Sequence, residues 1–164
     1  MQYISTRGTA PELNFEEAML AGLARDGGLY VPKTLPKFDS NFISSLGHLS
    51  YEEIAFKVMK PFVGEVFEEA EFKNIIHQSY SKFVHQSKAP LRQLSDKHYL
   101  LELYHGPTLA FKDFAMQLIG QLFRISLSKS KKRVTIIGAT SGDTGSAAIE
   151  AFKGLDAVDV FILY

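Results

Sequence analysis

A glycine-rich loop between two apolar strands restricts the folds that are open to this chain. Residues 134–137 have the sequence Val-Thr-Ile-Ile, residues 138–145 contain three glycines, and Gly154 ends a helical segment of small residues. A second β-branched and aromatic run occupies residues 158–164. Uninterrupted apolar strands are typical of a parallel sheet covered on both faces, and parallel strands need a crossover such as this helix. We therefore predict two buried parallel strands joined by a loop and a helix.

The same order of elements extends towards the middle of the chain. Residues 99–103 have the composition of a strand, and apolar residues recur at helical spacing from Ala115 to Leu122. The order βαβαβ predicts an α/β fold with a parallel sheet and right-handed crossovers. Because a buried parallel strand normally continues into a loop and a covering helix, the final strand leads us to expect a polypeptide cut from a longer one.

The first half of the chain predicts mostly short helices. The pairs Asn14 and Glu17, and Ser50 and Glu53, have the spacing of capping boxes. We expect the two helices to end near residues 25 and 60, with a further helix over residues 68–83 and a short strand at 29–31. The apolar residues Phe72, Ile75 and Ile76 of that further helix are expected in the core, with a partner surface as the alternative.

The break at Ala89-Pro90 divides the predicted elements into two groups. Residues 1–88 form a small, mostly helical region. Residues 89–164 form the first part of a catalytic α/β domain. We place a domain boundary between residues 88 and 89.

Composition excludes several classes of protein. Hydrophobic residues make up 46% and aromatic residues 12% of the 164 positions, which is an ordinary globular composition. Because Lys+Arg and Asp+Glu both number 18, the formal net charge is zero, and we expect no general electrostatic binding to nucleic acid or anionic membrane. The chain has no cysteine, and none of its 5 histidines has a helical partner, so we expect no disulfide and no metal site. No signal-peptide pattern is present, and we expect a cytoplasmic location.

The glycine-rich loop has the properties of an anion site. It lies at the carboxyl end of a predicted strand and at the start of a helix, where free N–H groups and the helix dipole favour negative charge. The hydroxyl groups of Thr140, Ser141 and Thr144 add donors. The spacing does not fit the dinucleotide, P-loop or hydrolase-elbow motifs. The alternative is a tight turn in which Asp143 or Thr144 only caps the helix.

Lys112 is placed unusually for a lysine. It lies near the start of an apolar helix, between Phe111 and Phe114. The helix N-terminus and the apolar neighbours both disfavour the charged ammonium, and a neutral amine is what Schiff-base chemistry requires. Asp113 acts in the opposite direction. The alternative is a lysine whose stem packs on the phenylalanines while its amine reaches water.

Two further features have a structural and a functional interpretation. His105 is close to Lys112 in the sequence, and it either lines a site or serves the turn and its packing. Residues 129–133 are basic, and they form either a binding patch or a solvated connection at a helix C-terminus, where cations are favoured.

Four segments resemble those of threonine synthases. Residues 105–115, His-Gly-Pro-Thr-Leu-Ala-Phe-Lys-Asp-Phe-Ala, are similar to the lysine motif of that family. Residues 139–147, Ala-Thr-Ser-Gly-Asp-Thr-Gly-Ser-Ala, are similar to its second motif. Residues 5–8 and 25–32 also resemble the family, and all four segments follow the family order.

The resemblance implies a pyridoxal-phosphate enzyme of fold type II, the type of the tryptophan synthase β subunit. Lys112 would form an aldimine with the cofactor and then shuttle protons, and Asp143 would lie beside the cofactor. The substrate carboxylate would be held by the loop, through Thr140, Ser141, Gly142, Asp143 and Thr144. The implied reaction converts O-phosphohomoserine and water into threonine and phosphate, a lyase step of threonine biosynthesis.

The resemblance covers only an N-terminal part of such an enzyme. Family members are longer, and their later glycine- and asparagine-rich loop for the cofactor phosphate has no counterpart in these 164 residues. We therefore expect no turnover by this chain alone, and exposed strand edges predict self-association. The alternatives are a related phospho-lyase that acts on another phosphorylated amino acid and a non-catalytic binding or interaction module. Related cysteine synthases have asparagine at the position of Asp143, and the role of this carboxylate stays open.

Overall fold

The computed structural model describes residues 1–163. The chain forms two compact units, Met1–Lys73 and Asn74–Tyr164, so the division falls within a helix and before the boundary expected at residue 88. The elements of the first unit are β1 Gln2–Ser5, β2 Leu13–Asn14, α1 Phe15–Ala21, β3 Tyr30–Pro32, α2 Ser40–Ser45 and α3 Tyr51–Val63. Helix α4, Glu69–Tyr80, spans the division. The second unit continues with β4 Leu91–Ser95, β5 His98–Leu101, α5 Asp113–Ser130, β6 Val134–Ala139, α6 Asp143–Phe152 and β7 Val158–Leu163.

Both predicted capping boxes of the first unit are present. The Asn14 side chain accepts from Glu17 N while the Glu17 carboxylate accepts from Asn14 N, and Ser50 and Glu53 repeat the arrangement at the start of α3. The expected helix lengths were wrong. Helix α1 ends at Gly22, which adopts φ 65° and donates to Ala18 O, and not near residue 25. Helix α3 continues through Pro61 to Val63.

The first unit also contains a sheet that the helical patterns did not predict. Its strand order is β2-β1-β3, and both pairings are antiparallel. Tyr3 on β1 is buried, and its hydroxyl donates to Phe62 O at 2.9 Å. Helices nevertheless make up most of the regular structure of residues 1–88, so the sheet adds to the predicted description.

The core stripe predicted on α4 is confirmed. Phe72, Ile75 and Ile76 are each at most 2% exposed. Phe83, which was expected on the same helix, is buried but lies beyond the helix end at Tyr80. The Tyr80 hydroxyl donates to Phe114 O at 3.1 Å, and the Phe83 and Phe114 rings are 4.8 Å apart.

The predicted βαβαβ sheet is only partly correct. Strands β6 and β7 pair in parallel in the register Val134↔Val158 to Ala139↔Leu163, around helix α6. Strand β5 does not join them; it pairs antiparallel with β4, in a separate hairpin. The two-residue turn between β4 and β5 is shorter than any crossover, so the antiparallel pairing follows.

The parallel strands are exposed on one face and only partly buried on the other. Alternate residues of β6 and β7 are exposed, including Ile137, Phe161 and Leu163 at 59–73%. The expectation of fully buried strands is therefore wrong for this face. Tyr164, the last residue of the predicted strand, lies outside the described residues.

Helices α5 and α6 pack closely. A Cβ atom at Gly120 would lie 2.5 Å from Ala151 O, and the Phe123 and Phe152 rings meet edge to face at 5.5 Å. Helix α5 ends just before β6 begins, and α6 connects the end of β6 to the start of the parallel strand β7. Both helices therefore run opposite to the strands and in the same direction as each other. No helix among residues 1–163 is long and apolar enough to cross a membrane.

Candidate active site

Lys112 immediately precedes helix α5. It is the N-cap residue, with φ −59° and ψ −22°, and its side chain makes no capping hydrogen bond. Its amine lies 4.6 Å from the centroid of the Phe111 ring. Lys112 is partly buried, and it takes part in none of the ion pairs found among residues 1–163. The structure therefore places this amine at a helix N-terminus beside an aromatic ring, as the sequence predicted.

Asp113 faces the preceding turn. Its side chain is 0% exposed and accepts hydrogen bonds from Thr108 N and Thr108 Oγ1, both at 2.8 Å. A Cβ atom at Gly106 would lie 2.4 Å from Asp113 Oδ2, so only glycine fits there. Sequence reasoning considered the charge of Asp113 but missed these contacts, because their partner, Thr108, lies in an irregular turn.

Thr140 organises the glycine-rich loop. Its hydroxyl oxygen accepts hydrogen bonds from Gly142 N at 3.2 Å and Gly145 N at 3.0 Å. Gly142, the N-cap of α6, adopts φ 139°, which disfavours any other residue. The alternative in which Asp143 or Thr144 caps the helix is therefore wrong. A Thr-Ser-Gly sequence was the available signal, since threonine hydroxyls accept hydrogen bonds from N–H groups two residues on.

The start of α6 presents free backbone donors. In the part of the chain that the structure describes, the N–H groups of Ser141, Asp143 and Thr144 donate to no protein acceptor. The Asp143 side chain is exposed. Because unpaired N–H groups at a helix N-terminus favour an anion, the geometry supports the anion site predicted for this loop.

Lys112 and the loop lie at the same end of the helix pair. Lys112 precedes the contact residue Gly120 by about 12 Å of helix axis, and Gly142 precedes Ala151 by about 13 Å, at the usual rise per residue. Because α5 and α6 run in the same direction, their N-termini are at similar levels. The packing of the two helices thus brings the amine and the free donors to one edge of the unit.

His105 belongs to a polar and aromatic cluster. Its Nε2 atom lies 3.0 Å from Glu102 Oε2, and its ring lies 4.6 Å from Tyr104 and 4.9 Å from His85. The hydrogen bond with His105 lowers the pKa of the Glu102 carboxyl. Val84 N donates to His105 O at 3.0 Å. These contacts support the packing interpretation of His105. In the basic segment, Arg133 pairs with Asp159 on β7.

The two N-terminal motifs, residues 5–8 and 25–32, are joined by a network of hydrogen bonds within the first unit. Asp26 accepts from Ser5 Oγ at 2.7 Å and from the backbone N–H groups of Gly28, Thr9 and Ala10 at 2.9–3.0 Å. The Ser5 hydroxyl foremost, and these backbone groups, hold the pKa of the Asp26 carboxyl well below its usual range. The resemblance at residues 5–8 and 25–32 therefore has a structural basis.

Comparison with known proteins gives the same family throughout. The family model described as the threonine synthase N terminus matches residues 2–80. A threonine synthase from Pseudomonas aeruginosa is 57% identical over 100% of this chain and 35% of its own length. Threonine synthase-like 2 from Rattus norvegicus is 43% identical over 99% of the chain and 34% of its own length. The chain thus spans about a third of these curated relatives.

A solved structure agrees in fold. The crystal structure of a pyridoxal-phosphate-bound threonine synthase from Brucella melitensis superposes with a TM-score of 0.94 at 51% identity. The match covers 99% of this chain and 35% of that protein. The chain thus matches the N-terminal part of threonine synthases over its whole length, and it shares their α/β fold.

Proposed function

We propose that this chain forms the part of a pyridoxal-phosphate-dependent threonine synthase that carries the cofactor lysine and the loop for the substrate carboxylate. The observation that carries the proposal is the common level at which α5 and α6 begin. Lys112 precedes the first helix, and free N–H groups begin the second. The similarity to the threonine synthase N terminus and to the cofactor-bound Brucella relative supports this assignment.

The residues present fit pyridoxal phosphate. The cofactor aldehyde needs a primary amine, and Lys112 supplies one that is partly buried and has no carboxylate partner among residues 1–163. Arginine could not take this role, because its guanidinium stays charged. When bound, the cofactor supplies an electron sink for carbanion chemistry. Lys112 would hold it and Asp143 would lie beside it.

The remaining chemistry falls to the chain's own groups. The N–H groups of Ser141, Asp143 and Thr144 would orient the substrate carboxylate, with the Thr140 cap keeping the loop in shape. The Lys112 amine would accept and return protons at the substrate carbons. The overall reaction would convert O-phosphohomoserine and water into threonine and phosphate in the complete enzyme.

Reductive labelling tests the lysine assignment directly. The chain is mixed with pyridoxal phosphate, reduced with borohydride and mapped by peptide mass spectrometry. Lys73 is the control: its amine also lies beside an aromatic ring, 4.7 Å from the Phe56 centroid, but it pairs with Glu69 and does not begin a helix. We expect selective labelling of Lys112 over Lys73, and none at that site in Lys112→Ala. Equal labelling of the two lysines would count against the proposed cofactor role in this chain.

The reaction is tested in a chimera. The chain replaces the matching N-terminal segment of the Pseudomonas aeruginosa threonine synthase, and threonine and phosphate are measured from O-phosphohomoserine. We expect equal amounts of both products, and neither above background with Lys112→Ala. The chain alone should form no threonine.

A related phospho-lyase that acts on another phosphorylated amino acid is the second candidate. In the same chimera, phosphate released without an equal amount of threonine would support this alternative. A chimera that neither labels at Lys112 nor turns over would support a binding or interaction module instead.

A further inference from the structure

The turn that leads into Lys112 has a strained backbone. Leu109 adopts φ 64° although it carries a branched side chain, and such left-handed conformations are costly for residues other than glycine. The Leu109 side chain is 68% exposed, so core packing does not hold it there. Leu109 N donates to Gly106 O at 3.2 Å, which closes the turn but does not tie it to the helix. Another contact must stabilise this conformation.

Asp113 supplies that contact. The neighbour of Leu109, Thr108, donates to one carboxylate oxygen with its N–H and to the other with its hydroxyl. Asp113 is in the first turn of α5, where a negative charge is favoured by the helix dipole. Its backbone N–H also donates to Ala110 O at 3.0 Å. The carboxylate therefore joins the turn on one side of Lys112 to the helix on the other side.

The pocket around this carboxylate admits little else. Both contacts come from Thr108, and an ionised carboxylate accepts from each of its two groups. An asparagine could keep both contacts only by donating its amide to the Thr108 hydroxyl, and it would offer the Thr108 N–H a neutral acceptor. Glutamate is longer by one methylene, and Gly106 already lies so close that a single added carbon would collide with Oδ2. Aspartate gives both Thr108 groups a charged acceptor, and its isosteric amide does not.

We propose that Asp113 is a positioning residue for Lys112: by clamping Thr108, it fixes the turn from which the chain enters α5 and so the direction in which the Lys112 side chain leaves the helix. The inference rests on the proposed role of Lys112. It adds a residue that touches neither the amine nor the substrate and acts through the backbone.

The test compares Asp113→Asn, Thr108→Val and Thr108→Ser in the full chain. Thr108→Val removes the hydroxyl donor while keeping shape and the Asp113 charge, and Thr108→Ser keeps the donor. Asp96→Asn, in the exposed turn after β4, is the control for loss of a carboxylate. Two quantities are measured: amide exchange at Thr108 by NMR, and trace labelling of Lys112 relative to Lys73 by acetic anhydride. The reagent is not the cofactor, so the result is independent of whether Lys112 binds pyridoxal phosphate.

We expect Thr108 exchange to become about tenfold faster in Asp113→Asn, because a hydrogen bond to a charged acceptor is lost. The labelling ratio of Lys112 to Lys73 should change by about threefold or more in Asp113→Asn and in the same direction in Thr108→Val, since orientation governs reactivity. Thr108→Ser and Asp96→Asn should match the wild type. An unchanged ratio in Thr108→Val and Asp113→Asn, with circular dichroism showing folded chains, would overturn the proposal. If Asp113→Asn does not fold, Thr108→Val decides alone, because its carboxylate is intact.

Discussion

Replacing Gly120 with alanine should destabilise the second unit, although the same change stabilises most helices. Alanine is favoured over glycine in a helix interior by about 1 kcal/mol. At Gly120, however, the new Cβ would lie 2.5 Å from Ala151 O and 3.1 Å from Ala151 C. Ordinary contact begins at 3.4 Å, so the helices must separate by about 0.9 Å.

The cost of this separation exceeds the gain in propensity. Overpacking a well-packed contact costs about 1–3 kcal/mol, and the upper part of that range applies because the obstacle is a backbone carbonyl that cannot rotate away. The net expectation is a free energy of unfolding lower by about 1–2 kcal/mol, or a Tm lower by roughly 2–8 °C. Urea denaturation followed by circular dichroism measures it.

Two controls separate the contact from the helix propensity. Ser128→Ala, at an exposed position of the same helix, should stabilise the chain by a few tenths of a kcal/mol, to about 0.5. Adding Ala151→Gly to Gly120→Ala removes the Ala151 Cβ but leaves the carbonyl, so it should not restore stability. The reasoning would be refuted if Gly120→Ala raised the free energy of unfolding by about 1 kcal/mol, as at a solvent-exposed helix position.

Two other predictions concern hydrogen-bonded side chains. The pKa of Asp26 is lowered by folding from an ordinary value of 3.8, so its contribution to stability is present above that pH and is lost as the pH falls below it. The urea midpoint of the wild type should therefore fall more steeply below about pH 4 than that of Asp26→Asn, and parallel curves would contradict this. Thr140→Val leaves the N–H groups of Gly142 and Gly145 without their acceptor and should cost about 1 kcal/mol of unfolding free energy, whereas Thr140→Ser should cost less. Equal stability of the valine and serine variants would show that the cap contributes nothing.

Local interactions explain which helices could be predicted from the sequence. A capping box needs only residues three apart, and both boxes formed as expected. The end of α1 was missed because Gly22 and the later pair Gly27-Gly28 are equally good signals for the end of a helix. The structure shows an antiparallel β-bridge between Leu23 and Leu29, so the chain has already left the helix before the later pair. Strand pairing depends on distant partners, so the sheet of the first unit was missed, although its strand β3 was expected at residues 29–31.

In the candidate site too, features with a local sequence signal could be predicted and contacts within irregular turns could not. Lys112 could be identified because its residue type is unusual beside two phenylalanines and a helix start, and because the motif resembles a family. The glycine-rich loop was identified by position after a strand. The clamp from Asp113 to Thr108 and the cap by Thr140 depend on the dihedral angles of irregular turns, which residue types alone do not determine.

The hairpin of β4 and β5 has a consequence for how this chain opens. All nine of its strand residues are exposed, so backbone pairing supplies most of its stability, and an isolated two-stranded hairpin is marginal in water. Such segments fluctuate open far more often than the unit unfolds, and proteases cut them first. Its base is closed by Glu102 N donating to Pro90 O at 3.0 Å. Helix α5 has a buried face and should resist cleavage. We therefore expect cleavage in the hairpin and little in the helix, with the change falling in the short segment that ends at Lys112.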